Sequence, residues 1–135
     1  MSSKIHLEIV TPDKNFYEGD VQMFVIETTE GEIGVLCEHE PLVTPVSIGH
    51  IWINTGDDVV MKNASCSKGF LTINDNIATV VVNSAEWQEE IDVGRAEEAK
   101  NRAKELLDSK NDDANILRAK ASLNRALNRV RISNM

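Results

Sequence analysis

Residues 91–107, IDVGRAEEAKNRAKELL, mark the point at which the chain changes character, and they decide the fold. Before them the chain is rich in Val, Ile and Thr and holds all of its aromatic residues, of which Trp87 is the last. From this stretch onward Ala, Glu, Lys and Arg dominate. The first composition favours strands and the second favours helices. We therefore predict two domains, residues 1–87 and residues 88–135.

The N-terminal domain contains short segments in which apolar and polar residues alternate, as they do in half-buried strands. Their separators are rich in Gly, Asn and Asp, which favour turns. Short strands at such spacing predict an antiparallel sandwich or barrel. The predicted strands cover residues 4–10, 21–28, 34–36, 48–54, 59–62, 70–73 and 77–83.

The C-terminal domain contains two segments with apolar residues at helical spacing. Asp92 is the predicted cap of a helix over residues 93–109, and Asn111 or Asp112 of a second helix over residues 113–130, with a turn at 110–112. An antiparallel hairpin is the simplest arrangement that buries both apolar stripes. The stripes consist of Ala96, Ala99, Ala103, Leu106 and Leu107 in the first helix and Ile116, Ala119, Leu123, Ala126, Leu127 and Val130 in the second.

At about 100° per residue, the arginines of both predicted helices flank the apolar stripe on the same side. In an antiparallel pair this places Arg95, Arg102, Arg118, Arg125 and Arg129 on one face of the hairpin. Guanidinium groups that converge repel one another unless an anion lies among them, and their planar shape suits phosphate oxygens. The pattern therefore predicts an anion-binding face, although arginine is also an ordinary helix former on solvated surfaces.

Charge is distributed unevenly along this 135-residue chain of net charge −8. Residues 1–90 hold 15 acidic and 4 basic residues, whereas residues 91–135 hold 7 acidic and 10 basic ones. An acidic chain is a poor general nucleic-acid binder, because phosphate contacts need a dominant basic surface. Only Cys37 and Cys66 are present and no long apolar run occurs, so we expect a soluble cytosolic protein with reduced thiols.

Four sequence blocks resemble those of the epsilon subunit of bacterial F-type ATP synthases. They are GEIGVLCEHEPLVT (31–44), SKGFLTI (67–73), IDVGRA (91–96) and RALNRVR (125–131). The resemblance runs over nearly the whole chain. It implies an α+β fold in which an N-terminal antiparallel β-sandwich of about ten strands is followed by a C-terminal antiparallel two-helix hairpin.

The same resemblance implies two sites. In family members that bind ATP, an Ile-Asp-x-x-Arg-Ala motif and later arginines form the nucleotide pocket. Carried over to this chain, ATP would be a regulatory ligand, and no cofactor would be required. The implied pocket comprises Glu86, Ile91 and Asp92 near the adenosine, Ala96 of the motif, and Arg95, Arg102, Arg125 and Arg129 around the phosphates. Glu32 and His39 match the positions implicated in contact with the membrane c-ring.

The resemblance implies a non-catalytic central-stalk subunit, peripheral at the cytoplasmic face of the bacterial cell membrane. Its partners would be the gamma subunit, the c-ring and the alpha and beta subunits of the head. We expect it to help couple proton or sodium ion flow to ATP synthesis. We also expect the hairpin to lie folded on the sandwich when ATP is bound, and to extend along gamma and block ATP hydrolysis when ATP is scarce.

Two other functions fit parts of the sequence. One is a free-standing nucleotide-sensing module that acts on a different partner. The other is a small hydrolase or a zinc site at CEHE (37–40), where Cys37 and His39 are expected to alternate onto one strand face. Zinc would need further ligands, and a catalytic cysteine would need a base and an orienting group. No P-loop or Rossmann glycine pattern occurs, so any ATP binding is expected to be regulatory.

Overall fold

Alternating apolar residues in the first two thirds of the chain form strands in this computed structural model, which describes residues 4–56, 61–108 and 113–135. The chain divides into two units, Met1–Trp87 and Gln88–Met135. The described part of the first unit contains nine strands: β1 Ile5–Val10, β2 Asn15–Val21, β3 Met23–Thr28, β4 Gly31–Leu36, β5 Leu42–Asn54, β6 Lys62–Cys66, β7 Gly69–Asn74, β8 Ile77–Val82 and β9 Ala85–Trp87.

The strands are hydrogen-bonded in the order β2-β1-β8-β7-β5-β3-β4, while β6 pairs with β5 and β9 pairs with β6. The long strand β5 belongs to both layers of the sandwich, because its first half pairs with β7 and its second half with β6. Strands β1 and β8 run parallel, which corrects the prediction of a purely antiparallel arrangement. The other strand pairs of the described chain are antiparallel.

A glycine permits the close approach of β3 and β5 at a register shift. The β3–β5 ladder shifts register between Ile26 and Thr28, opposite the middle of β5. At this bulge the carboxylate of Glu27 accepts a hydrogen bond from the backbone N–H of His50 at 3.1 Å, which replaces a missing ladder bond. A Cβ atom on Gly49 would collide with that same carboxylate, so glycine permits the close approach.

Inward-facing residues of both layers form one core. They alternate with more exposed neighbours along strands such as β1, β7 and β8, whereas β3 and β6 each bury three consecutive residues. Fully buried side chains include Ile5, Leu7, Ile9, Phe24, Ile26, Ile51, Ile53, Leu71, Ile73 and Val80. At its edge, Trp87 of β9 stacks on Phe16 of β2, with ring centroids 4.4 Å apart.

Several strand predictions need correction. Strands β2 and β9 were not predicted, and β5 begins at Leu42 rather than at residue 48. The predicted strand at residues 59–62 lies partly outside the described residues, and the observed strand β6 begins only at Lys62. Nine described strands are consistent with the expected sandwich of about ten.

The second unit begins with a single 3-10 turn, Gln88–Glu90, and continues with α1 Val93–Asp108 and α2 Asp113–Ser133. The two helices pack against each other and run antiparallel, because the end of α2 returns to Gln88. The predicted turn at 110–112 and its capping residues lie outside the described residues. Within the parts of the chain that the structure describes, no helix is long and apolar enough to cross a membrane.

Four alanines are among the most buried residues of the two helices, together with Ile132. Ala96, Ala103, Ala119 and Ala126 are each no more than 2% exposed. By contrast, Leu106 is 50% exposed and Leu127 is 43% exposed, so placing them in the buried stripe was wrong. The buried stripe is therefore narrower than predicted and follows the seven-residue spacing of the alanines.

Candidate functional site

The start of α1 is fixed by Asp92. Its Oδ1 atom accepts a hydrogen bond from the backbone N–H of Arg95 at 3.1 Å, and its carbonyl accepts one from the N–H of Ala96 at 3.0 Å. These are the bonds of a helix N-cap, as predicted. The cap also places a carboxylate beside the positive end of the helix dipole, close to the first arginine of the proposed site.

Four Arg-Ala dipeptides organise the cationic face of the hairpin. They begin at Arg95 and Arg102 in α1 and at Arg118 and Arg125 in α2, seven residues apart within each helix. Each alanine is buried, whereas each of the four arginines is exposed. The arginine precedes the buried alanine by about 100° around the helix, so in an antiparallel pair all four side chains emerge on one face. We call these four residues and Arg129 the arginine face.

Arg129 occupies the same face but lies closer to the buried stripe. It follows Ala126 by three residues, which places it about 60° from that alanine, and it is half-buried. The guanidinium Nη2 of Arg125 donates to Ser122 Oγ at 3.1 Å, which holds one exposed arginine along the helix surface. On the opposite side of α1, Glu97 pairs with Lys100 at 2.9 Å. Glu98, by contrast, follows Arg95 by three residues and precedes Arg102 by four, so this acidic residue of α1 borders the arginine face.

Gln88 closes the open end of the hairpin, a role that no local sequence pattern indicates. Its Nε2 group donates to the carbonyl of Ile132 at 3.0 Å and to that of Met135 at 2.9 Å. Ile132 is in the last turn of α2, whose carbonyls lack intrahelical partners, and Met135 follows the helix, so this side-chain amide stabilises the end of α2. Only the folded chain brings a residue before α1 to the end of α2, which is why local sequence could not reveal the contact.

The remaining residues of the predicted ATP site lie in different parts of the chain. Ile91 is 7% exposed and directly precedes the Asp92 cap. Glu86 is half-buried in β9 of the first unit, where it pairs with Ser65 of β6. The second unit therefore contains seven of the eight predicted residues, and Glu86 belongs to the sandwich.

Glu32 and His39, predicted to contact the c-ring, lie at opposite ends of β4. Glu32 is exposed near the start of this strand, and His39 is half-buried in the loop that follows it. The four residues from Glu32 to the end of β4 span about 13 Å. The two side chains therefore do not form one compact site, but both lie along the edge of the sheet that β4 forms.

The loop that holds His39 is anchored by Asn76 in the β7–β8 turn. The backbone N–H of Glu38 donates to Asn76 Oδ1 at 2.8 Å, while Asn76 Nδ2 donates to the carbonyl of Lys4 at 2.9 Å. Glu38 has a φ of 65°, a left-handed conformation that is uncommon outside glycine. His39 Nδ1 is 2.8 Å from the carbonyl of Glu40, which orients the imidazole.

The same loop contradicts the predicted arrangement of Cys37 and His39. Strand β4 ends at Leu36 and the backbone turns at Glu38, so the two side chains do not alternate along a strand face. Cys66 is 2% exposed, and burial raises the pKa of its thiol to about 12. A protonated, buried thiol is a poor nucleophile and metal ligand.

Comparisons with known proteins assign both units. Residues 4–88 match the family model of the ATP synthase delta/epsilon chain beta-sandwich domain, and residues 89–134 match that of the delta/epsilon chain long alpha-helix domain. The ATP synthase epsilon chain of Caldanaerobacter subterraneus is 42% identical over 134 residues, covering 98% of this chain and 96% of that protein. The epsilon chain of Alkaliphilus metalliredigens is 41% identical over 130 residues, with 96% of each chain covered.

Solved structures show the same fold. A chain in the mitochondrial ATP synthase of Euglena gracilis, determined with OSCP, F1 and the c-ring, superposes with a TM-score of 0.84 at 25% identity. That match covers 94% of this chain and 79% of the other. A chain from the central stalk and c-ring of the Tetrahymena thermophila mitochondrial enzyme superposes with a TM-score of 0.69 at 15% identity, covering 98% of each chain.

Proposed function

The chain belongs to the epsilon-chain family of ATP synthases, non-catalytic subunits of that complex, and on this premise we propose that its hairpin is an ATP-sensing regulator of hydrolysis. In this proposal the sandwich links gamma to the c-ring and helps couple ion translocation to ATP synthesis. The hairpin closes around ATP and opens to inhibit hydrolysis when ATP is scarce. The whole subunit works at the cytoplasmic face of the membrane.

The observation that carries the proposal is the arginine face. Arg95, Arg102 and Arg125 are exposed beside buried alanines, and the half-buried Arg129 lies between them and the seam. Repulsion between like charges on one face opposes closure of the hairpin. A triphosphate among the arginines would attract all of them and would favour closure instead. Guanidinium groups can donate two parallel hydrogen bonds to phosphate oxygens, which makes arginine suited to this ligand.

The alanine seam makes closure sensitive to such a ligand. Burial of a methyl group stabilises by about 0.8 kcal/mol, so the four buried alanines contribute about 3 kcal/mol. A ligand present at about a hundred times its dissociation constant adds about 2.7 kcal/mol to the state that binds it. The two contributions are comparable, so ATP occupancy would decide between the closed and the open hairpin.

The basic character of the helical part supports a role for the open state. Residues 91–135 hold 10 basic and 7 acidic residues, in a chain that is otherwise strongly acidic. An extended basic helix would be attracted to acidic segments of the alpha and beta subunits, which would oppose rotation during hydrolysis. The c-ring contact is proposed for Glu32 and His39, at the two ends of the β4 edge.

Truncation after Glu90 tests the inhibitory role in the assembled complex. The truncation removes both helices and leaves every described strand of the sandwich intact. We expect ATP hydrolysis by the complex at low ATP to rise relative to the complex with the full chain. The truncated subunit should still co-purify with gamma, which separates a loss of inhibition from a loss of assembly.

Two outcomes would contradict the proposal in different ways. Unchanged hydrolysis by a complex that retains the truncated subunit would remove the inhibitory role and leave the stalk role intact. A full chain that fails to co-purify with gamma would instead contradict the stalk role.

A further inference from the structure

His6 lies among three carboxylates on the outer face of the sandwich. Its Nδ1 is 2.9 Å from Asp20 Oδ1, and its Nε2 is 3.4 Å from both Glu8 Oε1 and Glu18 Oε2. The register explains this grouping, because His6 is paired with Asp20 and Glu8 with Glu18 across strands β1 and β2. From the sequence, His6 was assigned only to the predicted strand at residues 4–10.

The cluster needs a positive charge at its centre. Like charges directly opposite one another in a sheet are destabilising, and Glu8 and Glu18 are such a pair. When Nδ1–H donates to Asp20, a neutral imidazole turns the lone pair of Nε2 toward both glutamates. A protonated imidazole turns an N–H toward them instead, so the protonated state fits this arrangement.

Neighbouring elements supply little further charge. Lys4 lies on the same outer face of β1, one pleat before His6. On the other side, β8 pairs with β1 in parallel and presents the uncharged Ile77 and Thr79 outward. Asp75 lies in the turn before β8. The net charge of this cluster therefore depends on whether His6 is protonated.

We propose that His6 is a proton-sensitive clamp that holds the edge strand β2 onto β1. Strand β2 pairs only with β1 within the described sheet, so no second strand ladder holds it. Protonated His6 bridges Asp20, Glu8 and Glu18 across the two strands. Deprotonated His6 leaves three carboxylates facing one another, which favours opening of the edge.

The direction of the pH dependence follows from the pKa of His6. The hydrogen bond with Asp20 raises this pKa above its ordinary value, partial burial lowers it, and the charges of Asp20, Glu18 and Glu8 raise it further. A histidine whose pKa is raised on folding contributes its full stabilisation below its unfolded pKa. That contribution is lost as the pH rises through the folded pKa, so β2 should loosen toward alkaline pH.

Hydrogen exchange of the full-length protein, followed by NMR with a chelator present, tests the clamp. Between about pH 5.5 and about pH 8.5, we expect the protection factors of β1–β2 amides to fall by about two- to fivefold, the range typical of exposed ion pairs. The midpoint should coincide with the titration of the His6 ring protons. The protection factors of amides in the β7–β8 pair should not follow this titration.

Two variants decide the outcome. His6→Gln should abolish the pH-dependent step in β1–β2 protection, whereas the matched control His39→Gln should retain it. If His6→Gln does not fold, Glu18→Gln should move the His6 titration and the protection midpoint downward together. A step that persists in His6→Gln, its absence from the native protein, or a midpoint that stays fixed in Glu18→Gln would overturn the proposal.

Discussion

Replacing Gln88 with glutamate should loosen the open end of the hairpin. The substitution keeps the size of the side chain but replaces the Nε2 donor, which binds the carbonyls of Ile132 and Met135, with a carboxylate. Each hydrogen bond contributes about 0.5–1.5 kcal/mol net, so losing both costs about 1–3 kcal/mol. This loss is comparable to the roughly 3 kcal/mol contributed by the four buried alanine methyl groups.

Native-state hydrogen exchange of the α2 amides measures this loss directly. A cost of about 1–3 kcal/mol corresponds to protection factors that fall by about five- to hundredfold for amides that exchange through hairpin opening. Amides of the sandwich core should exchange at unchanged rates, because its strands make no use of this amide. Glu89→Gln is the matched control, since it alters the exposed neighbour in the same 3-10 turn.

The reasoning would be refuted by two results. Protection of α2 that is unchanged in Gln88→Glu would show that the two hydrogen bonds do not hold the hairpin closed. An equal loss in Glu89→Gln, which changes the charge of the turn in the opposite direction, would show that the effect does not depend on the amide donor.

Three further predictions follow from local contacts. Asp92→Ala should destabilise the hairpin by about 1 kcal/mol in urea unfolding followed at 222 nm, because the N–H of Arg95 loses its capping acceptor, whereas Asp92→Asn should largely retain the cap. Gly69→Ala should destabilise the sandwich by more than about 3 kcal/mol in urea unfolding, because the added Cβ would collide with a backbone carbonyl of β8. Iodoacetamide at about pH 8 should alkylate Cys37 before Cys66, as mass spectrometry can show, because Cys66 is buried with its pKa raised to about 12.

A specific result would contradict each of these predictions. If Asp92→Asn were as destabilising as Asp92→Ala, the N-cap hydrogen bond would not be the cause of the loss. Gly34→Ala is the control for Gly69→Ala, because its Cβ would make only an ordinary contact with Val25, and equal losses in both would argue against the steric cause. Cys66 labelling as fast as Cys37 in the folded chain would show that the core opens readily.

The helices were predictable because their signals are local. Asp92 precedes the periodic segment as a capping residue, and the alanines repeat at helical spacing, so α1 starts where the sequence places it. The predicted second helix ended at residue 130, three residues short of Ser133. Leu106 and Leu127 were misplaced because they lie at the margin of a stripe whose alanines allow close helix packing.

The strands that were missed lack such local signals. Strand β2 buries only Phe16 and Val21, carries Glu18 and Asp20 outward and contains Gly19, a composition typical of a loop. Its pairing with β1 includes a bulge between Ile9 and Val10, which breaks the alternation. Strand β5 contains Pro45, a residue that sequence reasoning normally excludes from strand interiors.

The candidate sites were only partly open to prediction from sequence. The arginine positions followed from helical periodicity, and their exposure beside buried alanines agrees with that geometry. The double hydrogen bond of Gln88 and the grouping of His6 with Asp20 join residues 44 and 14 positions apart. Contacts at such separations depend on the register of the folded chain, which no local pattern specifies.

The most direct test of the account is a calorimetric titration of ATP into the isolated full-length chain and two variants. Arg102→Ala/Arg125→Ala removes two cations from the arginine face, and Lys104→Ala/Arg131→Ala removes two exposed cations from the other side of the hairpin. The account predicts saturable binding by the native chain and the second variant, and its loss in the first. Absence of binding by the native chain at millimolar ATP, or equal binding by both variants, would contradict it.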